Sequence, residues 1–197
     1  MIAHRPQSLV AISLALLLGG CLGLGGAKPP ATLISLTATQ SPAAGAGVIG
    51  TQDSALLVLE PDVDRKLAVL RVPVRVNGST ITYLADAGWI ERPARQFRGL
   101  LAETLRASGK QLVLEDDGTA GPVAQRLGGR LVDMGYDAVT QSVVVRFEAV
   151  RSTRGGAVET RRFESVVSGV SANPAAIAPA LNRAANAVAA DVAVWMG

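Results

Sequence analysis

The sequence predicts an α/β fold of the α+β type, in which a mixed, mostly antiparallel sheet carries two main amphipathic helices. Val72, Val74 and Val76 alternate with other residues at the period of two that is typical of a strand. Apolar residues recur at helical spacing in two segments, one after Pro93 and one after Asn173. Short apolar segments bounded by turn residues make up most of the remaining sequence and predict further strands.

The N-terminal segment has the pattern of a lipoprotein signal peptide over residues 1–20. A basic start at His4-Arg5 precedes the apolar run Leu9–Leu18, which is well below the roughly 20 residues that a membrane-spanning helix needs. Gly19-Gly20 then stands directly before Cys21, the only cysteine of the chain. Small residues give a peptidase access to the backbone, and the thiol can accept a diacylglyceryl group. We therefore predict cleavage between Gly20 and Cys21 and lipidation of Cys21.

Cleavage at this position limits the chemistry of the mature chain, because it also removes His4, the only histidine. With Cys21 acylated, no imidazole or free thiol remains for Ser-His-Asp or Cys-His catalysis or for the usual zinc and copper sites. No disulfide can form, so the apolar core must stabilise the fold. The formal net charge of only +3 argues against a nucleic-acid-binding protein. We predict no cofactor and no metal.

Residues 21–30 are Gly-rich, end in Lys28-Pro29-Pro30 and predict a flexible tether, with a folded domain over residues 31–197. The first predicted strand is Ala31–Thr39, because it combines aliphatic and β-branched residues. The segment Ser41–Asp53 is rich in Ala, Gly and Pro and predicts a loop. A short apolar strand follows at Leu56–Leu59.

A hairpin is predicted between Val72–Val76 and Thr80–Leu84. The connecting Asn77-Gly78 is a strong hairpin signal, because both residues tolerate positive φ. Pro73 has no N–H to donate to a ladder, so one side of its strand should be a sheet edge or a bulge.

The first amphipathic helix should begin at Pro93, because proline suits the first helical position. Gly109 suits the left-handed residue that ends a helix. The apolar stripe of this helix is formed by Phe97, Leu100, Leu101 and Leu105. We expect the stripe to pack on the sheet.

Strands are predicted next at Leu112–Leu114, Leu127–Tyr136, Val143–Val150 and Val158–Val167, the last two joined by a hairpin at Thr153–Gly156. The C-terminal segment predicts a helix with Asn173 as its cap and Pro174 as its first residue. Pro179 would cost about 3 kcal/mol inside that helix, which leaves a start at Pro179 as the alternative. The apolar face of the helix comprises Ile177, Leu181, Ala185, Val188, Val192 and Trp195.

Three groups of residues are candidates for chemistry or binding. The acidic run Glu115-Asp116-Asp117 could bind calcium, but it lacks the spaced carboxylates of a calcium loop and is typical of a solvated turn. Asp86 and Glu91 flank Trp89 and could act as a general acid and base, although Asp86 also suits a turn. We predict no catalytic residue. The aromatic residues Tyr83 and Trp89 are candidates for a partner interface, with packing in the core or at its rim as the alternative.

The segment Tyr83–Pro93, with the sequence YLADAGWIERP, leads into Ala94–Phe97 and the helical Leu100–Leu105. This order of aromatic, Trp, Pro and helical Leu resembles the ABC-type transport auxiliary lipoproteins, the group that includes the paraquat-inducible protein C lipoproteins. Leu127–Leu131 and the later hairpin agree with the second half of that family. The resemblance extends over roughly Leu33 to Val194.

The resemblance implies a non-catalytic accessory subunit of an ABC transport system with MCE-domain proteins, a permease and an ATPase. Such systems move phospholipid or other hydrophobic molecules across the periplasm. It also implies a lipoprotein that is anchored in the outer membrane by palmitate-type acyl chains and whose domain faces the periplasm. Leu22 after the cysteine agrees with sorting to the outer membrane. The alternative is a structural envelope lipoprotein that binds peptidoglycan or an assembly factor. The sequence leaves the oligomeric state open, a homo-oligomer included.

Overall fold

A computed structural model describes residues 29–197 of the chain, so the predicted signal peptide, Cys21 and most of the predicted tether lie outside the described residues. Within that range the chain forms ten strands and two α-helices. The strands are β1 Thr32–Ile34, β2 Leu56–Val58, β3 Asp62–Val63, β4 Pro73–Arg75, β5 Ile81–Tyr83, β6 Ala87–Trp89, β7 Val113–Glu115, β8 Gln125–Asp137, β9 Ser142–Thr153 and β10 Val158–Ser168; the helices are α1 Pro93–Ala107 and α2 Pro174–Met196.

The long strand β8 organises the main sheet. One edge of β8 pairs antiparallel with β9, and β9 pairs antiparallel with β10. The other edge of β8 pairs in parallel with the short strands β2, β3 and β4 in turn. β7 extends the sheet beyond β2, and β5 returns from β4 as a hairpin. The predicted mixed sheet with mostly antiparallel pairing is confirmed.

Both helices cover one face of this sheet and bury their apolar stripes there. Phe97 of α1 meets Phe147 of β9 edge-on, with ring centroids 5.2 Å apart. Leu101 of α1 and Leu181 of α2 are almost fully buried in the same core. On β9 the buried Phe147 alternates with Arg146 and Glu148, which form ion pairs on the opposite face. The strand period of two therefore separates an apolar face from a charged one.

The first strand is shorter than predicted: β1 covers Thr32–Ile34 and not Ala31–Thr39. The chain stays close to the helices beyond Ile34, but side chains of α1 and α2 bond its peptide groups where a neighbouring strand would otherwise do so. The predicted loop Ser41–Asp53 contains no strand and ends in a short 3-10 turn at Gln52–Ser54.

The hairpin between β4 and β5 is confirmed, with Val74 opposite Thr82. Asn77 and Gly78 form its turn although neither residue adopts the positive φ that both tolerate. Instead the side-chain oxygen of Asn77 accepts hydrogen bonds from the backbone N–H groups of Ser79 and Thr80, at 3.0 and 2.9 Å. The turn is therefore held by a local side-chain acceptor, which is another common use of asparagine.

Both helix starts follow the sequence signals. Pro93 is the first residue of α1, and Gly109 has the left-handed φ of +64° just after its end. At α2 the Asn173 side chain accepts a hydrogen bond from the N–H of Ala176 at 3.0 Å, so the helix begins at Pro174. Pro179 lies inside this helix, near its start, where it removes a single backbone donor.

Candidate functional site

The two aromatic residues predicted for a partner interface occupy different environments. Tyr83 in β5 is half-buried, and the Arg71 guanidinium lies over its ring, 4.4 Å from the centroid. Trp89 in β6 is only 1% exposed and belongs to the core. Of these two residues, therefore, Tyr83 reaches the surface and Trp89 does not. A role for either residue in binding a partner stays a prediction.

The position of Trp89 follows from the parallel pairing of β1 with β6. Ile34 lies opposite Trp89, and both side chains point into the core. Leu33 lies opposite Gly88, and because strand side chains alternate, both positions belong to the opposite face. Ile90, two residues after Gly88, belongs to the same face by this alternation. Its N–H donates to the Ile34 carbonyl at 3.0 Å.

Gly88 is a point of close approach on that outer face. A side chain there would come within 2.8 Å of the Leu70 carbonyl oxygen and 3.3 Å of the Pro30 ring. The same Leu70 carbonyl accepts a hydrogen bond from the N–H of Trp89 at 3.1 Å. The loop that contains Leu70 and the point where the chain enters the domain are thus both held against β6.

The carboxylates Asp86 and Glu91 do not form a pair in the structure. Asp86 lies in the exposed turn before β6 with a φ of +55°, and its carbonyl accepts the N–H of Thr32 at 3.0 Å. The Glu91 carboxylate forms an ion pair with Arg95, 3.0 Å from its Nε. Glu91 lines a groove beside α1 to which Asp86 does not contribute. The geometry gives these two residues no shared reaction site.

This groove lies next to the residues that carry the family resemblance and has a volume of about 470 Å³. It lies between residues 35–38 and α1. Its charged side chains neutralise one another: Arg106 lies 3.1 Å from Glu115 and 3.6 Å from Glu103. A groove with such balanced charges offers no strong attraction to an ionic ligand.

The acidic run does not form a calcium site. Glu115 pairs with Arg98 and Arg106, whereas the Asp116 side chain accepts the N–H of Gly118 at 3.0 Å. Asp117 accepts hydrogen bonds from the Thr119 hydroxyl at 2.6 Å and the Thr119 N–H at 2.9 Å, which lower the pKa of Asp117 below its usual value. Over residues 29–197 no three potential metal-ligating side chains converge. The structure thus agrees with a solvated turn.

Three amide side chains that the sequence analysis did not single out fasten the N-terminal segment to both helices. Gln96 of α1 accepts the N–H of Leu36 at 2.9 Å. Asn182 of α2 accepts the N–H of Thr37, and Asn186, one turn later, accepts the N–H of Thr39, each at 2.8 Å. The two asparagines four residues apart on an apolar helix were the available signal. We call these three amides the N-terminal clamp.

Asn186 is the most deeply placed residue of the N-terminal clamp, with 7% of its surface exposed. Besides the N–H of Thr39 it accepts the Thr39 hydroxyl, and it donates to the carbonyl of Thr37 at 2.9 Å. The segment that leaves the predicted lipid anchor is therefore joined to the C-terminal helix by both donor and acceptor groups. Among the helices of residues 29–197, none is long and apolar enough to cross a membrane.

Comparisons with known proteins cover most of the domain. The sequence model of a family described as an ABC-type transport auxiliary lipoprotein component matches residues 35–193. The structure is similar to protein XCC0632 from Xanthomonas campestris, assigned to the family DUF330, with a TM-score of 0.69 and 18% identity over 83% of this chain and 94% of that one. A crystal structure of an uncharacterised protein gives a TM-score of 0.64 and 14% identity over 84% and 99% of the two chains. Among curated proteins, no sequence match was found.

Proposed function

The chain belongs to the ABC-type transport auxiliary lipoprotein family, and on this premise we propose that it is a non-catalytic accessory subunit of an MCE-type ABC transport system. The observation that carries the proposal is the family match over residues 35–193, which begins directly after β1 and ends in the last turn of α2. The transported molecule would be phospholipid or another hydrophobic compound that crosses the periplasm. The separation of Asp86 from Glu91, the two candidate acid and base residues, supports a non-catalytic role.

The proposed attachment is to the outer membrane through acyl chains on Cys21, with the domain facing the periplasm. The basic and apolar leader, the Gly19-Gly20 pair and Leu22 support this location. Each buried methylene contributes about 0.8 kcal/mol to membrane binding, so two or more acyl chains make the attachment stable where one would be marginal. Mass spectrometry of the mature N-terminus should find Cys21 as a diacylglyceryl-modified first residue; an unmodified thiol or cleavage elsewhere would contradict this.

The proposed partners are the MCE-domain protein and the permease and ATPase of the same system. A lipid anchor restricts the domain to the membrane surface, so that a modest interface meets its partner at high effective concentration. The Gly-rich segment before Pro30 gives a root-mean-square reach of about 15–18 Å. Tyr83 is the residue through which we propose that the domain contacts this partner, since Trp89 is only 1% exposed.

Affinity purification of the full-length lipoprotein from detergent-solubilised membranes tests this function. We expect the MCE protein to be recovered with it, and we expect the Cys21→Ser variant to lose that recovery and to weaken the envelope barrier. A Tyr83→Ala variant tests the proposed surface, with Val139→Ala on the exposed turn after β8 as the matched control. Recovery of peptidoglycan or an assembly factor instead, with a Cys21→Ser strain that behaves as wild type, would favour a structural envelope lipoprotein.

A further inference from the structure

The outer face of the β1–β6 pair is unusually apolar for an exposed surface. Leu33 and Ile90 are each 59% exposed, and both project from this small sheet on the side of Gly88. Leu70, which contacts β6 through its carbonyl group, is 50% exposed, and its neighbour Val69 is 37% exposed. We call these four residues the outer apolar face. Exposed aliphatic residues that share one small sheet and the loop held against it indicate a surface that an apolar phase can cover.

The position of the chain entry indicates what that phase is. Pro30 lies against Gly88, so the segment from Cys21 enters the domain on the outer apolar face itself. The stretch from Cys21 to Pro30 spans at most about 30 Å when fully extended, and its average span is about half of that. A membrane that holds Cys21 is therefore within reach of this face at all times.

A positive charge next to the outer apolar face also favours a membrane as the surface that covers this face. Arg71 directly follows Leu70, is exposed, and stands over the ring of Tyr83. An arginine beside aliphatic side chains suits the boundary between acyl chains and anionic headgroups, because its charge can pair with lipid phosphate while its methylene groups stay in apolar surroundings.

We propose that the outer apolar face lies on the lipid surface that anchors Cys21, with Leu33, Leu70 and Ile90 inserted between the headgroups into the first part of the acyl chains and Arg71 paired with lipid phosphate. The proposal rests on the lipoprotein function proposed above. It adds an orientation: the domain does not swing freely on its tether but rests on the membrane by one defined face. Val194 is far from this face, because the segment after β1 runs along α2 in the same direction, from Thr37 at Asn182 to Thr39 at Asn186, and Val194 lies about 18 Å further along α2 than Asn182.

Tryptophan quenching by brominated lipid tests the orientation. The full-length acylated lipoprotein is reconstituted into vesicles of phosphatidylethanolamine and phosphatidylglycerol whose acyl chains carry bromine. The variant Leu70→Trp reports on the outer apolar face, and Val194→Trp, at a site that is 82% exposed, is the matched control. Emission from Trp89 and Trp195 is subtracted with the wild-type protein. We expect bromine to reduce the added Leu70→Trp emission about twofold or more and to leave Val194→Trp unchanged.

A second variant checks that the apolar side chains cause the contact. Leu33→Glu combined with Ile90→Glu in the Leu70→Trp background should remove the quenching, while the acyl chains still carry the protein to the vesicles in a flotation gradient. Quenching that survives these charges, or equal quenching at positions 70 and 194, would overturn the proposal. A different outcome is that the emission of the tryptophan at position 70 shifts to shorter wavelength as the protein concentration rises and is not quenched by bromine. This would identify a second copy of the chain as the occupant and would also overturn the proposal.

The test also separates this proposal from the one on which it rests. If the purified protein does not float with vesicles, acylation of Cys21 has failed, and its free thiol can be coupled to a maleimide phospholipid in the same vesicles. The two tryptophan variants are then compared in the coupled protein. Selective quenching at position 70 would support the outer apolar face without native acylation, and its absence would refute the face itself.

Discussion

At the scale of single residues, Gly128 and Gly129 stand side by side in the middle of β8, and each has its own reason to lack a side chain. Gly129 has a φ of +129°, which L-residues rarely adopt, and an added Cβ there would overlap the carbonyl oxygen of Glu148 on β9. Gly128 has a different reason, since a Cβ there would press on the Leu59 side chain at 3.1 Å. The pair therefore serves close strand packing, and not the binding of a phosphate group.

Gly129→Ala should lower the free energy of unfolding by about 3 kcal/mol or more, because the new Cβ adds both backbone strain and a clash with β9. Chemical denaturation of the full-length protein measures this loss. Gly78→Ala is the matched control: a Cβ at that site meets nothing within 4 Å, so the change should stay within about 0.5 kcal/mol. Equal effects at both glycines would contradict the role assigned to Gly129.

At the scale of single elements, α1 is specified almost entirely by its own sequence. Proline supplies the first residue, the apolar stripe faces the sheet, and Gly109 takes the left-handed conformation after the last turn. The helix joins the core through Leu101, which is 1% exposed, while Arg95 on its outer side meets only Glu91. Leu101 and Arg95 thus offer a core position and a surface position on the same helix, and substitutions at the two can be compared directly.

Leu101→Ala should cost roughly 2–5 kcal/mol of stability, because it removes buried methylene groups and leaves a cavity against the sheet. Arg95→Ala, on the exposed side of the same helix, should cost less than about 1 kcal/mol, the usual value of a surface ion pair. Thermal and urea unfolding measure both. A loss below about 0.5 kcal/mol for Leu101→Ala would show that its side chain does not contribute to the core as the structure has it.

The N-terminal segment is a second element, and here the N-terminal clamp decides its path. Asn186→Ala should cost about 1–3 kcal/mol, because it leaves the carbonyl of Thr37 and the N–H of Thr39 without their partner in a partly buried setting. Asn182→Ala removes a single exposed bond to Thr37 and should cost less. Limited proteolysis should also cut residues 31–39 faster in Asn186→Ala. Unchanged stability and cleavage would contradict the role of the clamp.

On the scale of the whole molecule, the fold depends on one extensive apolar core. Both helices, β8, β9 and the buried ends of the short strands share it, and Trp89 links the small β1–β6 sheet to it. Over residues 29–197 no cluster of three metal-ligating side chains was found. The burial of aliphatic side chains therefore supplies the stability that many small secreted proteins obtain from disulfides or metals.

A chelator should consequently leave the unfolding of the full-length protein unchanged. We expect the midpoint of thermal unfolding with and without EDTA to agree within about 1 °C, as for a fold whose stability comes from its apolar core. A zinc-dependent protein of similar size serves as the positive control for the chelator. A fall of several degrees, restored by adding back a divalent cation, would contradict the metal-free fold.

Features that depend on near neighbours could be predicted from the sequence. The β4–β5 hairpin, both boundaries of α1, the start of α2 at Pro174 and the long C-terminal strands all follow from local periods and cap residues. The family resemblance drawn from residues 83–105 is likewise confirmed by the match over residues 35–193. Such signals are readable because propensity and burial pattern act within a few turns of chain. The lipidation of Cys21 is also a prediction of the sequence, and it lies outside the described residues.

Features that depend on distant contacts were decided by the tertiary structure alone. β1 ends at Ile34 because the backbone beyond it is hydrogen-bonded by amide side chains of α1 and α2 and not by a neighbouring strand. These amides lie far away in the sequence. The sequence could not show that Trp89 is buried while Leu33, Leu70 and Ile90 are exposed, because this depends on which strand pairs with β6 and on which side the chain enters. A residue pattern reports that one side of a segment is apolar; the packing of remote segments determines whether the core, a partner or a membrane covers it.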